Sequence, residues 1–209
     1  MERLRKQPVF AAAIGSSILL LALVAAYLQH DALAALDRTL GGLVAPWRTP
    51  AVTAAFVWLT AVGAGPALTA VALVASGLLA AADRLRVIQA MRITLLGAEA
   101  TTWAIKYLVD RSRPDLVAAV EVSSPSFPSA HATGALAVYG FVAWAVVSGR
   151  PAAPARNATL FLAAVLIGLV GLSRVILGVH HPSDVVAGWL VAVFWLGLGI
   201  GFARAGPAT

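Results

Sequence analysis

The chain has 209 residues, of which 60% are hydrophobic and only 11% charged, and its mean hydropathy is +0.88. A soluble core of this size cannot hide so much apolar surface, which excludes a soluble globular protein and implies an integral membrane one. The net charge of +6 is scattered between apolar runs with no aromatic-interleaved basic patch, which excludes a nucleic-acid partner, and the absence of Cys excludes disulfides, thiolate chemistry and cysteine metal sites.

Residues 1–7 carry Arg3, Arg5 and Lys6, and 8–28 form an uninterrupted apolar run long enough to cross a bilayer. Ala32-Leu33-Ala34 resembles a signal-peptide cleavage site, but the run exceeds the usual signal core of about 7 to 15 residues, so a retained anchor is expected. His30, at its end, reads as an interfacial residue. In 31–45, Leu33, Leu36, Leu40 and Leu43 recur near helical spacing, with Asp31, Asp37 and Arg38 elsewhere around the wheel. This predicts an interfacial helix, followed by Pro46 and a headgroup-level anchor, Trp47. Gly63-Ala64-Gly65-Pro66 then interrupts the apolar sequence, giving a short, partly inserted helix at 51–62 and a second span at 66–82.

After a charged turn at 83–86, the third span covers 87–108 and carries Lys106 near its end. Glu99 lies inside it and is expected to face the bundle as a packing residue, because a charge within the bilayer costs about 2.5 kcal/mol or more on insertion scales. A polar loop at 111–127 leads to the fourth span, 129–147; a loop at 149–157 leads to the fifth, 158–177; the sixth is 183–202. With no internal repeat and no second-domain boundary, the expectation is one all-α membrane domain over 1–209: six transmembrane helices in a bundle, with an additional interfacial helix after the first span.

With the N-terminus in the cytoplasm, nine of the fifteen cations fall at cytoplasmic ends: Arg3, Arg5, Lys6, Arg84, Arg86, Arg92, Arg150, Arg156 and Arg204. The same six crossings bring Lys106, His131 and His180 to one outer face and leave both termini cytoplasmic.

The stretch from Gly171 to Asp184 reads GLSRVILGVHHPSD. Ser173-Arg174, five residues, His180, three residues and Asp184 join a fixed cation, an imidazole and a carboxylate, which is equipment for attacking a phosphate. An imidazole is a nucleophile only when neutral and aimed, and a carboxylate on its other nitrogen does the aiming. Pro182 fits the first position of a helix, which places Asp184 in its first turn, within reach of His180. Arg174 can bring a permanently charged donor fork to the same spot. Lys106 and Arg113-Pro114 stand seven apart, on one face if the helix persists. Pro128-Ser129-Ala130-His131 opens an apolar helical run, setting a hydroxyl, free backbone N–H groups and a second imidazole at a helix N-terminus, a natural anion seat.

These three blocks, KYLVDRSRP, PSAH and SRVILGVHHPSD, resemble the signatures KxxxxxxRP, PSGH and SRxxxxxHxxxD of the type 2 phosphatidic acid phosphatase (PAP2) superfamily. The one departure is Ala130 in place of Gly, which is unstrained if ordinary helical angles suffice there. The roles read from the residues agree with those the resemblance implies. His180 is the nucleophile and forms a phosphohistidine, with Asp184 fixing its tautomer. Lys106, Arg113 and Arg174 hold the equatorial phosphoryl oxygens, aided by Ser129 and the backbone N–H of Ala130. His131 protonates the leaving group and later activates water. Both imidazoles start near ~6.5, so a bell-shaped pH dependence of kcat/KM is expected. No metal or other cofactor is called for, because three cations take a metal's place.

The spacing selects His180 over the adjacent His181, which reads as a polar or headgroup contact; Arg111 reads as a loop salt-bridge partner of Asp110 or Asp115. The favoured function is a lipid phosphatase at the outer face of the bacterial inner membrane. Its substrate is undecaprenyl diphosphate, phosphatidylglycerophosphate, phosphatidate or a lipid A phosphate, between which the motifs do not choose. The alternatives are a phosphotransferase passing the group to an alcohol or sugar acceptor, and a non-catalytic phosphate-lipid binding or transport protein. Gly188, Gly197, Gly199 and Gly201 suit close helix packing, either within one bundle or between two copies in a homodimer.

Overall fold

A segment in hydrocarbon must satisfy its backbone N–H and C=O groups internally, so long apolar runs become helices. The computed structural model describes residues 8–29, 31–114 and 122–205, and every regular element among them is helical. In order these are α1 (Pro8–Gln29), α2 (Asp31–Val44), a short 3-10 turn (Ala45–Trp47), α3 (Pro50–Ala61), α4 (Gly65–Ala81), α5 (Leu85–Val109), α6 (Ala130–Ser148), α7 (Ala153–Ile176) and α8 (Pro182–Arg204). The cations Arg3, Arg5 and Lys6, and also His30 and Asp115, lie outside the described residues. Prolines in the first turn open α3, α4, α7 and α8, where a missing N–H costs nothing.

By length and composition, α6, α7 and α8 can each cross a membrane, and α3 with α4, bent by 40° at their break, can make a fourth span. The break falls where the sequence separates the expected short helix from the second span. The break exposes carbonyls that α3 can no longer use, and Tyr139 of α6 donates its hydroxyl to Val62 O at 2.6 Å. The α5 helix is long enough to span, but Arg86, Arg92, Glu99 and Lys106 make it less apolar than the others. Within α1 the apolar stretch among the described residues is Ala11–Val24.

The hub is α8, which packs against α1, α5 and α6. On α5, Ala90, Thr94, Ala98, Thr102 and Lys106 recur every four residues and are all buried, forming a stripe of small side chains that ends in the lysine. Close approach also needs small residues on the facing helix. A Cβ on Gly199 would come within 2.1 Å of Thr94 Oγ1 and 2.7 Å of Ala90 O; one on Gly188 would meet Ser129 O at 2.7 Å. Both glycines thus serve packing within the bundle.

Glu99 departs from expectation. It follows Ala98, about 100° around the helix from the buried stripe, and so is exposed on α5, lining a lateral groove between α4, α5 and α6. Its carboxylate accepts a hydrogen bond from Trp103 Nε1, one turn further on. On α2, Leu36, Leu40 and Leu43 are exposed, whereas Asp37 is turned inward and buried.

A Gly188→Ala substitution is expected to lower stability by about 1–3 kcal/mol, the usual cost of overpacking. Gly168→Ala, where a Cβ meets nothing within 4 Å, should leave it unchanged or slightly raised. Thermal unfolding in detergent compares the two.

Candidate active site

The last two helices of the fold create the centre of the site. Helix α7 ends at Ile176, Gly178 adopts a left-handed φ of 73°, and Arg174 O accepts the N–H groups of Val179 and His180, both at 3.2 Å. The chain then enters α8 at Pro182, and Asp184 in the first turn accepts the His181 N–H at 2.8 Å. This puts a carboxylate at the positive end of a helix and one turn from the imidazole. His180 Nδ1 lies 3.4 Å from Asp184 Oδ2 and 3.4 Å from Ser126 Oγ, while Ser126 Oγ donates to the same carboxylate oxygen at 2.5 Å.

The other imidazole nitrogen, Nε2, faces Arg113 Nη1 at 3.4 Å. Arg113 does not arrive there along a helical face. Helix α5 stops at Val109, where Asp110 takes a left-handed φ of 44° and donates its N–H to Lys106 O at 2.9 Å, so the seven-residue spacing to Lys106 is bridged by loop. Contacts to Val179 O and Ser124 O then fix the Arg113 guanidinium. Burial lowers Arg113 from its ordinary guanidinium value, with the Asp184 charge acting in the opposite direction.

Burial also lowers the pKa of His180, to about 4. The Asp184 hydrogen bond and charge resist that shift, and Arg113 and Arg174 reinforce it. The ring is therefore neutral at pH 7, the state a nucleophile requires. His181 is lowered as well, first by burial and then by Arg111.

Lys106 Nζ donates to Pro125 O at 2.5 Å, and Arg174 Nη1 donates to Thr60 Oγ1 at 2.7 Å, leaving its buried Nε without a protein partner among the described residues. Ser129 caps α6, its hydroxyl 3.5 Å from the Ala132 N–H, and its own N–H donates to Asp184 O at 3.0 Å. Ala130 opens α6 with no positive φ. His131 follows it, half-buried and within electrostatic reach of Arg174, His180, Lys106 and Arg113. A cavity of about 590 Å³ is bounded by His180, His181, Arg111 and Arg113, together with residues of α2; Lys106, Arg174, Ser129, Ala130 and His131 lie outside its lining.

Sequence reasoning missed an ion cluster beneath this cavity. Among the described residues Arg111 pairs with distant acids, not with Asp110. Its Nη1 donates to Asp184 Oδ1 at 2.6 Å and its Nη2 to Asp37 Oδ2 at 2.7 Å, all three side chains being nearly inaccessible. Ser183 accepts from Arg111 at 2.7 Å and donates to Asp37 at 2.6 Å, and its backbone N–H meets the second Asp37 oxygen at 2.9 Å. Tyr27 of α1 lies under the guanidinium at 5.0 Å. Asp37 sits off the leucine stripe of α2, a signal consistent with either a solvated or a buried carboxylate; nothing local in Arg111, Ser126 or Thr60 marks a role.

Removing Arg111 strands two buried carboxylates. Arg111→Ala is expected to cost about 3–5 kcal/mol of stability, and Arg111→Lys less, since one point charge replaces a fork serving two acids. Unfolding midpoints of the two variants in detergent check the order.

Residues 89–205 match the family model of the PAP2 superfamily. The chain is 37% identical over 99 residues to phosphatidylglycerophosphatase B of Bacillus subtilis, covering 47% of this chain and 49% of that protein. It is 45% identical over 95 residues to decaprenylphosphoryl-5-phosphoribose phosphatase of Mycobacterium tuberculosis, covering 44% and 47%. The matched part spans about half the length of these curated relatives. The crystal structure of a transmembrane PAP2 type phosphatidylglycerolphosphate phosphatase from Bacillus subtilis superposes with a TM-score of 0.84 at 26% identity, over 92% of this chain and 96% of that one. The crystal structure of Aquifex aeolicus LpxE shares the fold, with a TM-score of 0.65 at 18% identity over 79% and 94%. Apolar helices and membrane relatives together make this an integral membrane protein. With more than half of its length matched by the family model and all three signature blocks inside or bordering one polar cluster, the chain belongs to the PAP2 superfamily.

Proposed function

We propose that the protein is a lipid phosphatase that hydrolyses a phosphate monoester or diphosphate of a membrane lipid through a phosphohistidine on His180. The observation that carries this reading is the setting of His180: buried, with Asp184 and Ser126 at Nδ1 and a guanidinium at Nε2, on the wall of a cationic cavity.

In this scheme the Nε2 lone pair attacks phosphorus as the bond to the leaving oxygen breaks, and His131 gives that oxygen a proton. The Nδ1 proton stays on the ring, and Asp184 balances the positive charge it acquires. Lys106, Arg113 and Arg174 neutralise the equatorial oxygens, supplying the charge a metal would otherwise bring, with Ser129 and the Ala130 N–H as further donors. Water then attacks the phosphohistidine, passes its proton to His131 and releases inorganic phosphate. The relatives' names, a phosphatidylglycerophosphatase and a decaprenylphosphoryl-5-phosphoribose phosphatase, favour a phosphate carried on a lipid headgroup.

The proposed topology has six crossings: α1, the bent α3–α4 unit, α5, α6, α7 and α8. Both ends lie in the cytoplasm and the site at the outer face of the bacterial inner membrane. The cations Arg84, Arg86, Arg150, Arg156 and Arg204 then sit at the cytoplasmic end, in agreement with the positive-inside tendency.

Purified protein in detergent with EDTA should release phosphate from at least one of phosphatidylglycerophosphate, phosphatidate, undecaprenyl diphosphate and a lipid A phosphate. His180→Ala should reduce that release by at least about a thousandfold, the scale of losing a nucleophile. Loss of the native activity in EDTA contradicts the scheme; product that appears only with an added alcohol acceptor makes the protein a transferase.

The low pKa of His180 moves the acid side of the pH profile. Its folded value of about 4 lies below the ordinary ~6.5, so the neutral ring is complete above that ordinary value and lost as pH falls through about 4. The acid limb of kcat/KM due to His180 is therefore expected near pH 4; a limb centred near 6.5 rules out the buried neutral nucleophile.

A further inference from the structure

The cavity beside His180 holds more cations than the three family blocks supply. Besides Arg111 and Arg113, Arg38 of α2 and Arg48, which follows the 3-10 turn, line it, and both precede the segment that defines the family match. Arg111 is committed to Asp37 and Asp184, whereas Arg38 makes no hydrogen bond or ion pair among the described residues. Its neighbour Asp37 also lines the cavity, but its carboxylate is taken up by Arg111 and Ser183. Arg48 is half-buried and donates through Nη2 to Val175 O at 3.1 Å, and its Nε is buried with no partner among the described residues. A buried donor left unpaired is destabilising, so an acceptor belongs in that place. The cavity volume of about 590 Å³ suits a ligand much larger than one phosphoryl group.

The position of these two arginines sets the kind of acceptor. Helix α2 exposes Leu36, Leu40 and Leu43, an apolar face that suits the acyl boundary, so cations on α2 and just after it stand at the level of lipid headgroup phosphates. His180 and Arg113 line the same cavity. We infer that Arg38 and Arg48 form a second anion subsite that takes a phosphodiester joining the lipid anchor to a polar spacer, while His180 attacks a terminal phosphomonoester on that spacer. This rests on the phosphatase reading above and narrows its substrate class to lipids bearing two separated phosphates.

The test compares kcat/KM for phosphatidylglycerophosphate, which has the linking diester, with that for phosphatidate, which lacks it, each in micelles of neutral detergent so that only the substrate can supply a diester. Arg38→Gln and Arg48→Gln should each lower the ratio of the two values at least tenfold, mainly through KM; Arg38 is exposed, so its variant is the one least exposed to misfolding. A ratio that does not move, including an equal loss on both lipids, overturns the subsite. If the native protein hydrolyses neither lipid, binding of the same two lipids decides the subsite, and the phosphatase reading fails by itself only when undecaprenyl diphosphate and the lipid A phosphate are left intact as well. At least tenfold tighter binding of the diester lipid, abolished by Arg38→Gln, supports it; equal binding of the two lipids overturns it.

Discussion

The burial of the Asp184 carboxylate organises this molecule. A charge withdrawn from water persists only when donors surround it. Here Arg111, Ser126, the His181 N–H and His180 Nδ1 converge on its two oxygens, and the helix that begins at Pro182 adds its positive end. Each donor comes with its own structural requirement. Arg111 brings the end of α5 and, through Asp37, helix α2; Ser126 brings the loop before α6; Gly178 allows the turn that delivers His180.

The polar centre sits inside a protein whose outer surface is apolar, an arrangement the helices resolve by dividing their faces. Helix α5 turns the stripe from Ala90 to Lys106 toward α8 and Leu96 outward. Helix α2 turns Leu36, Leu40 and Leu43 outward and keeps Leu33 and Asp37 inside. The break between α3 and α4 is held by polar contacts of this same centre: Thr60, near the end of α3, accepts from Arg174 and from Ser173. Both residues of the SR motif thus fasten the bent helix through one hydroxyl.

Local chemistry was readable from the chain. The prolines, the turn at Gly178 and the placement of Asp184 one turn beyond His180 follow from neighbouring residues, as do most helix positions. Pairings across the sequence were not. Arg111 lies 74 residues from Asp37 and 73 from Asp184, and a nearer acid was the natural guess. The seven-residue spacing of Lys106 and Arg113 named two residues that do share the centre, although Asp110 ends the helix between them and a loop brings the second back. Glu99 was misplaced because an average cost for a charge in lipid says nothing about which side of one helix is already filled by small residues packed on α8.

The Arg111 cluster also fixes an order of assembly. Its acids come from the second and the last helices, and its base from the loop after α5. During synthesis Asp37 is made long before Arg111, and both are made before Ser183 and Asp184 exist. The centre can therefore close only once α8 has taken its place, so a shortened chain or a stalled intermediate has neither an aimed imidazole nor a neutralised interior.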